Sequence, residues 1–150
     1  MRTAILIPAR YASTRYPGKP LVKLDGVPMI KRVADAARES GLPVYVLTDD
    51  VRVANCVNTE YTVLIEDAEY ENGTERCAGY MTTMQKKRLH ATGYGWDHDY
   101  DQYINVQGDM PDVTVDIIEK CVWHLKHYPI TTVYTKMPKE KQDDPSKDLK

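Results

Sequence analysis

The stretch that most constrains this chain covers residues 5–21, I-L-I-P-A-R-Y-A-S-T-R-Y-P-G-K-P-L. Residues 3–7 form a short run rich in branched apolar side chains, which suits a buried strand. Pro8 is expected to stop that strand, because proline has no N–H to give to a ladder. The residues that follow carry Arg10, Arg15 and Lys19, the hydroxyls of Ser13 and Thr14, and Gly18 set between prolines. Hydroxyls and backbone N–H groups can donate to phosphate oxygens, and the fixed cations can offset phosphate charge. In an open α/β sheet, ligands bind just beyond the carboxyl ends of the strands, where this loop would lie. A Walker A loop is excluded, since Gly18-Lys19 is followed by Pro20 rather than Ser or Thr, and no Gly-x-Gly-x-x-Gly occurs. Composition alone leaves a solvated basic surface loop as an equal reading.

The remaining chain alternates strand and helix patterns. Residues 21–25 lead to Gly26, and a helix starts near Pro28, with Ile30, Val33, Ala34 and Ala37 on one face and Gly41 as the stop. Residues 44–48 read as a second strand. Asp49 and Asp50 then sit where they can cap a short helix carrying Val53, Ala54 and Val57, a role preferred here to metal binding. Residues 61–65 read as a third strand and 66–73 as an acidic loop. A helix is predicted over 74–89, with Cys77, Ala78, Met81 and Met84 facing inward. Residues 91–101 read as a surface connection, 103–106 as a fourth strand and 130–135 as a fifth. Between the last two lies a helix over 114–126 with Ile117, Ile118, Cys121, Val122 and Leu125 on its core face. This alternation predicts an α/β fold of three α/β/α layers around a mostly parallel sheet, with right-handed crossovers. Residues 1–135 are expected to form one domain, and 136–150 a charged, loose tail.

The bulk properties exclude several classes. A formal charge of −2 argues against general nucleic-acid binding. No apolar run approaches the ~20 residues of a membrane span, so no membrane contact is expected. The N-terminus enters a strand pattern without a signal-peptide core. The three cysteines, Cys56, Cys77 and Cys121, are far apart on apolar helix positions, which fits buried free thiols in a reducing cytoplasm. Without a secretion signal, the Asn72-Gly73-Thr74 sequon reads as coincidence.

Two further segments carry chemistry. In Asn105-Val106-Gln107-Gly108-Asp109, a carboxylate follows directly on a strand, and Gly108 permits a tight turn. Asp109 could hold Mg²⁺, a hard cation often bound by one or two carboxylates plus substrate phosphates. Taken alone, a turn cap before Met110-Pro111 is the commoner role. In Asn72-Gly73-Thr74-Glu75-Arg76, Thr74 is a candidate N-cap and Glu75 suits the positive end of the helix. His124 and His127 share a helix face, which reads as solvated because no third ligand has suitable spacing.

Residues 8–21 resemble the signature loop of the cytidylyltransferases that activate acidic sugars, closest to the 3-deoxy-manno-octulosonate cytidylyltransferase family. The likeness continues in the family's order through T-D-D after the second strand, G-T-E-R, and N-V-Q-G-D, with Met110 where the family usually has Glu. The resemblance implies a Rossmann-like nucleotidyltransferase fold of the glycosyltransferase-A-like type. It implies CTP and an acidic sugar as substrates, Mg²⁺ as cofactor held by Asp109, and a CMP-sugar plus pyrophosphate as products. Lys19, Arg10, Arg15 and Asp109 would be catalytic. Pro8, Ala9, Arg10, Ser13, Thr14, Lys19, Thr74, Arg76 and Gln107 would bind the nucleotide. The family forms homodimers through an arm in its second half, which also carries much of the sugar-acid pocket and a second metal-binding Asp. This chain is shorter, so it is expected to correspond to the N-terminal nucleotide-binding part and to turn over little alone. Two alternatives stay open: a related nucleotidyltransferase with another base or acceptor, and a non-catalytic nucleotide-binding protein.

Overall fold

The structure, a computed structural model, describes residues 1–12, 16–57, 61–65, 70–90 and 100–133. In chain order its elements are β1 (Thr3–Pro8), a 3-10 turn (Lys19–Leu21), β2 (Lys23–Leu24), β3 (Val27–Pro28) and α1 (Met29–Arg38). They continue as β4 (Val44–Thr48), α2 (Val51–Val57), β5 (Thr62–Ile65), α3 (Gly73–His90), β6 (Gln102–Asn105) and α4 (Val115–Leu125). The main sheet has the order β5-β4-β1-β6, and every neighbouring pair is parallel. Ile5 is in register with Val44 on one side and Ile104 on the other. All three of these strands therefore present their carboxyl ends to the same edge.

The two-residue period of a strand sorts the core into two faces. Ile5 and Ile7 of β1, with Val44 and Val46 of β4, pack against α1, α2 and α4 through Ile30, Val33, Ala34, Val53, Val57 and Ile118. Ala4 and Leu6, with Tyr45 and Leu47, face the other way, against Cys77 and Tyr80 of α3. The three layers are therefore as the alternation predicts. The chain has no phenylalanine and eleven tyrosines, so aromatic core positions fall to tyrosine, whose hydroxyl needs a partner when buried. Tyr45 and Tyr100 share a hydroxyl–hydroxyl bond of 2.8 Å.

Several expectations need correction. Pro8 is the last residue of β1 instead of lying beyond it, which is compatible with proline at a strand end. Residues 130–133 are not a strand, and Ile130 is 84% exposed. Branched residues favour a strand only where a face and a paired neighbour bury them. On α3, Ala78 is exposed, because it lies about 100° around the helix from buried Cys77. Asn72 caps α3 in place of Thr74. Its Oδ1 accepts from Glu75 N at 3.0 Å, and the Glu75 carboxylate accepts from Glu71 N at 3.0 Å. The hairpin β2–β3 is too short for periodicity to reveal, though Asp25-Gly26 carries its signal, with φ of 49° and 81°. The reading of 136–150 as a tail lies outside the described residues.

Candidate functional site

Segments that follow β1, β5 and β6 meet at the carboxyl edge of the sheet and line a cleft of about 240 Å³. Its lining includes Pro8, Ala9, Arg10, Lys19, Pro20, Tyr70, Asn72, Gly73, Arg76, Gln107, Gly108 and Asp109. Backbone bonds lock the loops to one another. Ala9 N donates to Leu47 O at 2.8 Å, Val106 N to Leu6 O at 2.9 Å, and Gly108 N to Pro8 O at 3.3 Å. A side chain at Gly108 would place its Cβ 2.9 Å from Pro8 O, so only glycine allows the β1 and β6 loops to lie this close.

Lys19 reaches the cleft from the 3-10 turn. Gly18 precedes it with φ 75°, and Gly18 N donates to Tyr11 O at 2.9 Å. Tyr11 in turn lies under the guanidinium of Arg52, 3.4 Å from the ring centroid. Arg52 donates to both carboxylate oxygens of Asp50, at 2.9 and 2.6 Å. The Arg52 bonds, foremost, hold the Asp50 carboxyl below the usual carboxylate range. Asp50 also accepts from Arg52 N at 2.8 Å, which makes it the cap of α2 as expected. The basic loop is thereby tied to the start of α2 through an aromatic ring and an ion pair.

Lys19 Nζ donates to Asp109 Oδ2 at 2.5 Å, with both side chains nearly half exposed. Arg10 is exposed and donates from Nη1 to Glu71 O at 3.2 Å, reaching across to the loop before α3. Arg76 is 2% exposed and donates from Nη2 to Asp49 Oδ2 at 2.7 Å. Asp49 therefore anchors Arg76, while Asp50 does the capping. Gln107 Nε2 donates to Asn105 Oδ1 at 3.1 Å, and its Oε1 lies against Gly73.

Of the residues singled out in the sequence, Pro8, Ala9, Arg10, Lys19, Arg76, Gln107 and Asp109 come together in this lining. Thr74 is exposed and is not part of it. Ser13, Thr14 and Arg15 lie outside the described residues. Asn72 and Gly73 of the segment singled out before Arg76 are also in the lining, and Tyr70 is a member that the sequence reading missed. The available signal was Gly79 inside a helix, which marks a close approach.

Asp109 is the only carboxylate among the described lining residues, and no group of three or more His, Cys, Asp or Glu able to hold a metal occurs among the described residues. One exposed carboxylate beside cationic side chains fits a hard cation that arrives with phosphate oxygens, and does not fit an all-protein cage. None of the three cysteines is in a disulfide; Cys77 is buried as expected, whereas Cys56 and Cys121 are only partly so. Burial pushes the Cys56 and Cys121 thiols up, consistent with unreactive sulfur. No helix among the described residues is long and apolar enough to cross a membrane.

Comparison with known proteins gives this geometry a context. Residues 4–146 match the sequence profile of the cytidylyltransferase family. A 3-deoxy-manno-octulosonate cytidylyltransferase of Pseudoalteromonas atlantica is 39% identical over 85% of this chain and 47% of its own length. The mitochondrial enzyme of that name from Arabidopsis thaliana is 34% identical over 97% of this chain and 48% of its own. A solved CMP:2-keto-3-deoxy-manno-octonic acid synthetase complexed with CTP superposes with a TM-score of 0.71 at 32% identity, covering 86% of this chain and 49% of that one. The chain thus spans about half the length of the relatives it matches.

Proposed function

This chain belongs to the cytidylyltransferase family, and on that premise we propose that it binds CTP and serves transfer of CMP to an acidic sugar of the 3-deoxy-manno-octulosonate class. The observation that carries this reading is the convergence of Arg10, Lys19, Arg76 and Asp109 in one cleft at the carboxyl edge of a parallel sheet. Cations from the two ends of one loop and a buried helix position can neutralise a triphosphate, while the backbone carbonyls of Pro8 and Ala9 offer a base acceptors to bond. The names of the relatives supply the nucleotide and the acceptor, and the chain's own residues supply the chemistry to hold the first of these.

In the proposed reaction a sugar hydroxyl oxygen forms a bond to the α-phosphorus as the bond from that phosphorus to the β-phosphate oxygen breaks, releasing pyrophosphate. The hydroxyl proton leaves with solvent or a base, and no covalent enzyme intermediate is required. Lys19 and Arg10 act by electrostatic stabilisation of charge on the phosphates. Arg76, fixed by Asp49, holds the nucleotide from the α3 side. Gln107 contacts the nucleotide sugar or the incoming acid. Asp109 is the residue that would hold Mg²⁺, which when bound offsets phosphate charge.

Thermal melts with CTP, UTP, ATP and GTP, each with and without Mg²⁺, test the reading. A shift that is selective for CTP and larger with Mg²⁺ is expected. Equal shifts with all four nucleotides would favour a nucleotidyltransferase of another specificity, and no shift with any would overturn nucleotide binding.

A further inference from the structure

Tyr70 is seated in the cleft wall by the lack of a side chain at another position. Gly79 lies inside α3, where glycine is a poor helix former. A Cβ at that position would stand 2.6 Å from Tyr70 Cε1 and Cζ, and closer still to the hydroxyl. The hydroxyl end of the ring therefore fills the space that any other residue at 79 would occupy. The guanidinium carbon of Arg76 lies 5.2 Å from the ring centroid, so the ring also rests on that cation. With its tip on α3 and its π-system on Arg76, Tyr70 is part of the cleft lining.

The lining thus has two natures. Arg10, Lys19 and Asp109 present charge, while Pro8, Ala9, Pro20 and Tyr70 present carbon. A ligand that satisfies both is polyanionic and carries a flat, weakly polar group. Resting on the reading of the cleft as a nucleotide site, we propose that Tyr70 contacts the base and sets its size, favouring a pyrimidine over a purine because Gly79 fixes how far the ring stands into the cleft. Gly79 acts through Tyr70 and is a positioning residue.

The test is calorimetric titration of CTP and ATP into the full chain with four sequences: unsubstituted, Tyr70→Phe, Tyr70→Ala and Gly79→Ala. Tyr70→Phe keeps the ring and should hold CTP affinity within about twofold. Tyr70→Ala should weaken CTP roughly five- to 150-fold, the range for loss of a base–aromatic stack, and should lower the CTP-to-ATP affinity ratio by opening the wall. Gly79→Ala drives the ring from its seat, so CTP should bind more weakly although the melting temperature stays level or rises with the better helix former. That opposition is one a purely structural tyrosine would not produce. An unchanged CTP-to-ATP ratio in Tyr70→Ala, or wild-type affinity in Gly79→Ala, would overturn the assignment while leaving CTP binding standing. Failure of the unsubstituted chain to bind CTP would instead overturn the nucleotide reading, and this assignment with it.

Discussion

The two faces of the sheet are made of different material. Under α1, α2 and α4 the buried set is almost wholly aliphatic, built on Ile5, Ile7, Ile30, Val33, Val46, Val53, Val57 and Ile118. Under α3, Tyr45 and Tyr80 pack among Ala4, Leu6, Leu47 and Cys77, with Tyr100 and Tyr103 at the margin. Aliphatic packing needs only shape and dispersion, whereas a buried tyrosine also needs a place for its hydroxyl. The cleft's helical residues, Gly73 and Arg76, come from the α3 side, as does the seat of Tyr70. The aliphatic face meets the cleft only at its rim, through Ala9 and the packing of Ile30 on Gly108, while the α3 face must also hold a buried cation and leave room for a ligand. The comparison teaches that binding and stability should be separable by face.

The largest expected effect lies on the aliphatic face. Ile5→Ala removes a fully buried side chain from the middle of β1 and should cost about 2–5 kcal/mol of stability. Urea unfolding would measure it, and nucleotide affinity of the protein that remains folded should be unchanged. A parallel fall in affinity would erase the distinction between the faces.

Lys19→Ala should do the reverse. Loss of a charged donor to phosphate should weaken CTP by roughly 1.5–3 kcal/mol. The half-exposed pair with Asp109 is worth at most about 1 kcal/mol to the fold. Calorimetry alongside circular dichroism decides, and full CTP affinity with an intact fold would remove Lys19 from the site.

A smaller effect sharpens the picture at the hinge between the two. Asp50→Ala removes the α2 cap and should cost about 1 kcal/mol at neutral pH. Because the folded-state pKa of Asp50 is depressed, its ionic contribution is present above the unfolded value and disappears as pH falls through the folded one. The gap in melting temperature between variant and parent should therefore narrow in acid. A gap that is constant from pH 7 down to strongly acidic solution would show that the cap acts without its charge.

Much of the fold was legible because the strands and helices that form it have strong period and long partners. Residues 44–48 are buried throughout, and Ile30, Val33, Ala34 and Ala37 meet the core as their spacing predicts. What failed was local preference without a partner. The run at 130–133 has strand-like composition, but Ile130 and Val133 are exposed. Thr74 had the right chemistry for a cap, but Asn72 took the role, its Oδ1 accepting from Glu75 N while the Glu75 carboxylate accepts from Glu71 N. In the cleft, the charged residues were readable through the family's motifs, because alone they read equally well as a solvated loop or a turn cap. Tyr70 was not, since its position depends on a vacancy at residue 79, nine positions away across the α3 start.

While Lys19 and Asp109 hold each other at 2.5 Å, neither charge is fully available to anything else. An anion that draws Lys19 away leaves Asp109 uncompensated and hence a better ligand for a cation. A cation settled on Asp109 releases Lys19 to an anion in the same way. The two affinities must then rise together, and reciprocity makes the factor the same in both directions. A short contact between two half-exposed side chains would thus couple the binding of an anion and a cation into one cooperative event, with no change of shape required elsewhere in the molecule.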